Sequence, residues 1–227
     1  FSVVAVSLKK HLHMRSYRVA QHESPLREHL AAAMVLQSRW EPGAPLHDPF
    51  CGSATILTEA ALIATRTPPT HWRTRFACMA WPDFDAARFA ALRAEAEAAI
   101  LPTSGLRLSG ADVSPKWLEV ARANVASAGF ADVIALQVRD VAAMALEPGS
   151  WVVTNPPYGV RVGDEAKYAP VWQSFKDRLL EHPGTSVAVL GAAETVEKGL
   201  RLKPFKRNRL NNGSIPCVLA QYRIGER

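Results

Sequence analysis

Residues 45–64, PLHDPFCGSATILTEAALIA, decide how the rest of the chain is read. Pro45–Asp48 is a short run ending in an acid, Cys51–Ser53 is a turn, and Ala54–Ala64 is an apolar stretch of strong helix formers. A strand that runs straight into a helix opens a βαβ unit, which predicts a parallel sheet covered on both faces. The loop is not a phosphate loop, since GxxxxGK(S/T) is absent, and not a dinucleotide fingerprint, since GxGxxG is absent. Its N–H groups point at whatever fills the crevice, while Asp48 repels phosphate and suits a ligand with a cationic or hydroxyl-bearing part.

Downstream the same alternation continues. Leu106–Asp112, Val133–Val138, Trp151–Thr154 and Thr185–Leu190 read as strands. A helix beginning at Ser114-Pro115 carries the stripe Leu118, Ala121, Val125, Ala128 and stops at Gly129, and another is marked by Tyr168, Val171, Trp172, Phe175 and Leu179. Residues 65–105 form an insertion, with a Pro-rich loop, an aromatic patch at Trp72, Phe76 and Trp81, and a helix over Asp83–Ile100. Leu200–Arg209 and Ile215–Ile224, joined by Asn211-Asn212-Gly213, predict a hairpin. Upstream, Phe1–Leu8 and Tyr17–Ala20 read as short strands, and Ser24-Pro25 as the start of a helix that ends before Pro42.

The 227 residues carry a charge of +6, and 48% are hydrophobic, which fits one large globular domain and excludes extended disorder. No apolar run is long enough to span a membrane, and Lys9 and Lys10 follow the first apolar run where a signal peptide has them in front. Cys51, Cys78 and Cys217 are too few and too far apart for a disulfide framework or a CxxC zinc site, so a reducing, cytoplasmic setting is expected. The seven histidines show no ligand spacing, and no metal is expected. From residue 198 onward eight bases stand against one acid, which makes the C-terminal end either a surface for a polyanion or a solvated basic face.

In an open parallel sheet, ligands lie beyond the carboxyl ends of the strands, where strand order reverses. Asp48, Asp112 and Asp140 fall at three successive strand ends, and Asn155-Pro156-Pro157-Tyr158 follows the fourth. A carboxylate at the Asp112 position can take both hydroxyls of a ribose, and Asp140 can accept from an exocyclic amine such as that of adenine. Each acid alone is equally a cap or turn former. The two prolines stiffen the backbone, so that the Pro156 carbonyl and the Asn155 side-chain oxygen form a pair of acceptors suited to the two N–H bonds of an aromatic amine. Tyr158 offers a face on which a base can stack, and Gly159 leaves it room. Cys51 lacks a base partner and reads as a packing residue.

Together Asp48–Thr55, the Asp112 strand end and NPPYG resemble class I S-adenosylmethionine-dependent methyltransferases. LHMRSYR at 12–18, SPLREHLA at 24–31 and NPPYGVRVG at 155–163 resemble more narrowly the guanine-N2 RNA methyltransferases, in particular the bacterial type acting on 23S ribosomal RNA. The resemblance implies a Rossmann-like α/β fold: a mostly parallel seven-stranded sheet, helices on both faces and a C-terminal antiparallel hairpin. It implies that S-adenosylmethionine is held by Asp48, Phe50, Cys51, Gly52, Ser53, Thr55, Asp112, Val113, Asp140, Val141 and Asn155. Asn155, Pro156 and Tyr158 would hold the target base, with Pro157, Gly159, Arg161, Lys206, Arg207 and Arg209 on the RNA.

The family also carries an RNA-binding THUMP domain ahead of the catalytic one. The chain is therefore expected to be a catalytic half, with 1–22 as connecting strands and 23–227 as the methyltransferase domain. Three positions depart from the family pattern: Ser16 and Ala54 replace glycines and Val160 replaces a glutamate. At 54 a Cβ would crowd a close backbone approach, unless the position already lies in the helix's first turn. NPPY is shared with N6-adenine methyltransferases, so that activity, a tRNA guanine-N2 activity and a catalytically idle RNA-binding module all stay open.

Overall fold

The computed structural model of the chain describes residues 14–19, 26–157, 164–213 and 215–225, with 164–167 as backbone only. Its centre is a seven-stranded sheet in the order β3-β2-β1-β4-β5-β7-β6. The strands are β1 Leu46–Asp48, β2 Leu108–Asp112, β3 Ile134–Val138, β4 Trp151–Thr154, β5 Ser186–Gly191, β6 Lys206–Asn212 and β7 Ile215–Arg223. The first five in that order are parallel, β7 is antiparallel to β5, and β6 is antiparallel to β7. Six helices join them: α1 Glu28–Ser38, α2 Thr55–Ala64, α3 Ala86–Ala98, α4 Pro115–Ser127, α5 Asp164–Leu180 and α6 Ala193–Leu200.

Both faces of the sheet are covered, and the strands show why. Every residue of β5 is buried, with Ala188 and Leu190 in a core shared with α1, α2 and α4, while Val187 and Val189 join α5 and α6 on the opposite face. A strand buried on both sides loses the polar alternation of a half-exposed one. In α2, Ile56, Leu57 and Leu62 are buried, each stabilising the layer by about 1.5–3 kcal/mol. The insertion differs: α3 buries none of its residues, although Asp85 caps it by accepting from Arg88 N at 2.9 Å.

Several elements differ from their sequence reading. No strand forms at Tyr17–Val19, because Ser16 takes a left-handed turn at φ 72 and the segment docks as a strap. Helix α1 starts at Glu28 behind an extended Arg27, not at Ser24-Pro25, which lies outside the described residues. Leu200 ends α6, whose Val196 and Leu200 are buried one turn apart, so the extended segment begins only at Lys206. The hairpin closes at Asn212↔Ile215, one residue later than its Asn-Asn-Gly signal, with Gly213 at φ 67. The aromatic patch divides: Trp72 packs edge-on against buried Tyr17, Phe76 and Phe84 pack on Phe89, and Trp81 is exposed.

Candidate functional site

β1 lies between β2 and β4, so sheet order reverses beside Asp48, and this places Asp48 next to the end of β4. Asp48 Oδ1 accepts from Thr154 Oγ1 at 2.6 Å and from Phe50 N at 3.1 Å. With the residue 1% exposed, burial pushes its carboxyl up to about 7 against the opposing effect of those two bonds, and the charge of Asp112 adds to the rise. Thr154, whose hydroxyl ties the two halves of the sheet together, has no sequence signal beyond closing an apolar run. His47, the intervening residue of β1, bonds Ser109 through Nδ1 at 2.8 Å, and burial with the nearby charge of Arg139 lowers it to about 4.

The loop after β1 is held down at several points. Cys51 N donates to Ala111 O at 2.9 Å, Gly52 N to Asp112 Oδ2 at 3.1 Å, and Ala54 N to Cys51 O at 2.7 Å. A Cβ on Gly110 would stand 2.5 Å from Leu57 Cδ1 and 3.0 Å from Cys51 Cβ, so this glycine lets the loop and α2 lie against β2. The Cys51 side chain is buried and its thiol is pushed upward, first by burial and then by Asp48 and Asp112, which fits a packing role and not a nucleophile. Ala54 is the N-cap of α2 at φ 59, ψ 28, before the first turn and not in it. Left-handed backbone costs an L-residue about 1–2 kcal/mol, so a strained alanine stands in this loop.

The other strand-end acids are also anchored. Asp112 Oδ1 accepts from Ser114 N at 2.8 Å, and Ser114 caps α4 by accepting from Trp117 N. Val113 between them is 68% exposed, an apolar surface beside a carboxylate. Asp140, exposed, accepts from Ala142 N at 2.8 Å, whereas the Val141 side chain packs in the α5–α6 core.

Past β4 the chemistry changes. Asn155 Oδ1 is buried, and among the described residues it has no hydrogen-bond partner. Pro156 is buried beside it and Pro157 half-buried, while Tyr158, Gly159 and Arg161 lie outside the described residues. Phe50 packs edge-on against Phe175 of α5 at 5.4 Å. The basic residues of β6 are farther away: β6 stands three strands from β4, about 14 Å. Arg207 is level with Thr154 through Val189 and Ala220, and Arg209 is level with Gly191, past the end of β4. Arg207 and Arg209 share the exposed face of this edge strand, Lys206 is on the other, and Arg207 is paired with Glu197 at 2.8 Å.

A polar network under the loop was not anticipated from the sequence. Arg18 donates at 2.8 Å to both Leu26 O and Thr55 Oγ1, and Asn124 bridges Val19 N at 3.0 Å to Ser53 O at 3.3 Å. Below it, buried Glu59 accepts from Tyr17 OH at 3.1 Å and pairs with Arg15 at 3.5 Å; burial raises it to about 7. An acid inside the apolar stretch TILTEAALIA is the one signal that could have disclosed it.

Strand-end carboxylates around a loop that opens α2, on this sheet order, define a Rossmann-like methyltransferase domain. The profile of the RMKL-like methyltransferase domain matches residues 15–221, and the chain belongs to that family, whose cofactor is S-adenosylmethionine. The ribosomal RNA large subunit methyltransferases K/L of Aliivibrio fischeri (strain ATCC 700601 / ES114) and Vibrio parahaemolyticus are 35% and 34% identical over 95% of the chain. The chain spans 32% of the length of these relatives. Among solved structures, the methyltransferase SMU.472 in complex with S-adenosylhomocysteine is 31% identical with a TM-score of 0.86, covering 95% of this chain and 56% of its own. A Listeria monocytogenes protein described as a predicted N6-adenine-specific DNA methylase is 33% identical with the same TM-score, over 96% and 56%. Among the described residues no helix is long and apolar enough to cross a membrane, and no three potential ligands gather around a metal position.

Proposed function

We propose that this domain methylates the exocyclic N2 amine of a guanosine in large-subunit ribosomal RNA, holding S-adenosylmethionine over β1–β2 and the base at Asn155-Pro156. The observation that carries the reading is the buried Asn155 Oδ1, without a partner among the described residues, beside the rigid diproline. A buried acceptor without a donor is costly, and an incoming N–H relieves it.

The residues over β1–β2 fit the donor. Each Asp112 oxygen has accepted one backbone N–H and retains a lone pair for a ribose hydroxyl, exposed Val113 offers a surface for the adenine, and Asp140, exposed, keeps acceptor capacity for the adenine amine. Asp48 opposes the cationic methionine end. When bound, the donor supplies a methyl group on a positively charged sulfur. Asn155 Oδ1 and the Pro156 carbonyl accept the two N–H bonds of the amine, favour a pyramidal nitrogen, and stabilise the positive charge that grows on it as N–C forms and S–C breaks. A proton then leaves the nitrogen for solvent. Tyr158 stacks on the base, Pro157, Gly159 and Arg161 border it, and Lys206, Arg207 and Arg209 meet RNA phosphates along the outer strand.

Guanine in ribosomal RNA is favoured by the names of the K/L relatives, and the Listeria neighbour's name supports the second reading, an N6-adenine activity. Labelled donor incubated with total RNA from a strain lacking the protein, followed by nucleoside mapping, is expected to give N2-methylguanosine in the large-subunit RNA. N6-methyladenosine, or label confined to tRNA, overturns the assignment.

A further inference from the structure

We propose that Arg18 is a positioning residue for the donor loop, clamping the left-handed turn at Ala54 through the residues on either side of it; this rests on reading loop 48–55 as the donor site. A non-glycine residue stays in left-handed backbone only where its surroundings over-determine it. At Ala54 they do. The residue after it, Thr55, accepts from Arg18 at 2.8 Å and lies 3.2 Å from Ser53 Oγ, so the two hydroxyls meet across the strained alanine. The residue before it, Ser53, has its carbonyl bonded by Asn124, which also holds Val19 N. Both flanks of the turn are thus tied to the strap 17–19.

Arg18 suits this task. Its side chain is 6% exposed, its Nη2 donates to Leu26 O and Thr55 Oγ1 at once, and Glu28 lies 3.8 Å from Nε. A lysine ammonium keeps the charge but not the rigid plane that sets Nη2 on both acceptors while Nε faces Glu28. Without the clamp Ala54 relaxes toward right-handed backbone, and the shift passes to Gly52, whose N–H bonds Asp112 Oδ2. Donor affinity therefore suffers more than turnover at saturating donor.

The test compares the chain with its Arg18→Lys, Arg18→Gln and Ala54→Gly variants and the Arg18→Gln/Ala54→Gly double variant. Readouts are S-adenosylhomocysteine titration by calorimetry, hydrogen exchange at residues 51–58, and KM for donor and RNA. Arg18→Gln is expected to weaken S-adenosylhomocysteine about tenfold, the loss of one charge-assisted bond. Lysine is expected to rescue little of this, Ala54→Gly most of it, and exchange at 51–58 to rise before any donor is added. KM for RNA is expected to stay within about twofold, below the effect of one bond. Equal losses for donor and RNA, or no rescue by glycine, overturn the clamp. If Arg18 variants fail to fold, Thr55→Val removes the same acceptor with little change of shape and must show the same exchange and affinity changes. Wild-type chain that takes no S-adenosylhomocysteine overturns the donor reading instead, and exchange at 51–58 then decides the clamp alone.

Discussion

The two sides of the crevice are finished to different degrees. Over β1–β3, Asp48, Asp112 and Asp140 each hold bonds from the chain itself, so their oxygens stand in place before any ligand arrives. Past β4, the Asn155 oxygen is buried with no described partner. A bonded carboxylate is preorganised for ground-state binding, while an orphaned amide oxygen stores about 1–3 kcal/mol that an incoming N–H can recover. On the proposed function, affinity for the donor belongs to one side and stabilisation of the reacting amine to the other.

The largest expected effect breaks the open side. Asn155→Ala should lower turnover about a hundred- to a thousandfold, the scale of removing one preorganised polar group from a developing charge. S-adenosylhomocysteine affinity should move less than about threefold. Melting temperature should hold or rise, because the variant also removes a buried oxygen that has no partner among the described residues. Asp112→Ala should do the reverse: it strands Gly52 N and Ser114 N, and donor affinity should fall about a hundredfold with a much smaller change in kcat at saturation. Calorimetry and steady-state rates on both variants check the division; equal losses of both quantities in each would abolish it.

The pH dependence sharpens the same contrast, because Asp48 is bonded and yet protonated near neutrality. Its folded carboxyl is raised to about 7, above its unfolded value, so the folded state binds more protons between about pH 4 and 7. Stability from this group is present at the acid end of that window and is lost as pH rises through 7. Glu59 is raised to about 7 as well and follows the same course, so the wild-type profile alone does not separate them. Asp48→Asn keeps an acceptor for Thr154 and Phe50 N but cannot ionise. It should gain about 2 kcal/mol over wild type at pH 8 relative to pH 5.5, measured by denaturant unfolding at both pH values. A constant difference at the two pH values would show that Asp48 is already ionised in the acid range. Donor binding should also release protons in wild type and fewer in the variant, since a nearby cation favours the carboxylate.

The parallel strands were legible because Val133–Val138, Trp151–Thr154 and Thr185–Leu190 are apolar runs rich in β-branched residues, and the acids because Asp48 and Asp112 close short runs that lead into helix starts. The strap was not. Tyr17 and Arg18 read as the start of a short strand, since side-chain pattern says nothing of a left-handed turn at Ser16 or of a guanidinium that reaches Thr55, 37 residues away in sequence. The bond of Thr154 to Asp48 spans 106 residues and was invisible for the same reason. Helix α6 was missed because eight residues with two buried apolar side chains give too little periodicity. The hairpin was found but shifted, because three consecutive turn formers do not specify which pair closes the loop.

The smallest expected effect concerns the bonded side, at the two positions where the resemblance leads one to expect glycine. Ser16 and Ala54 stand at φ 72 and 59, in the region where an L-residue is disfavoured by about 1–2 kcal/mol. Glycine removes that strain but adds about 0.4–1 kcal/mol of unfolded-state entropy, so each replacement should stabilise the chain by about 0.5–1 kcal/mol. The two sites should not be equivalent in binding. Ala54→Gly changes the loop itself and should alter S-adenosylhomocysteine affinity, whereas Ser16→Gly keeps the left-handed turn that leads into Arg18 and should change that affinity less. Thermal melts with and without S-adenosylhomocysteine read both numbers at once. A destabilising Ala54→Gly would mean that the turn gains more from the alanine methyl, fully buried in the core, than it loses to backbone strain.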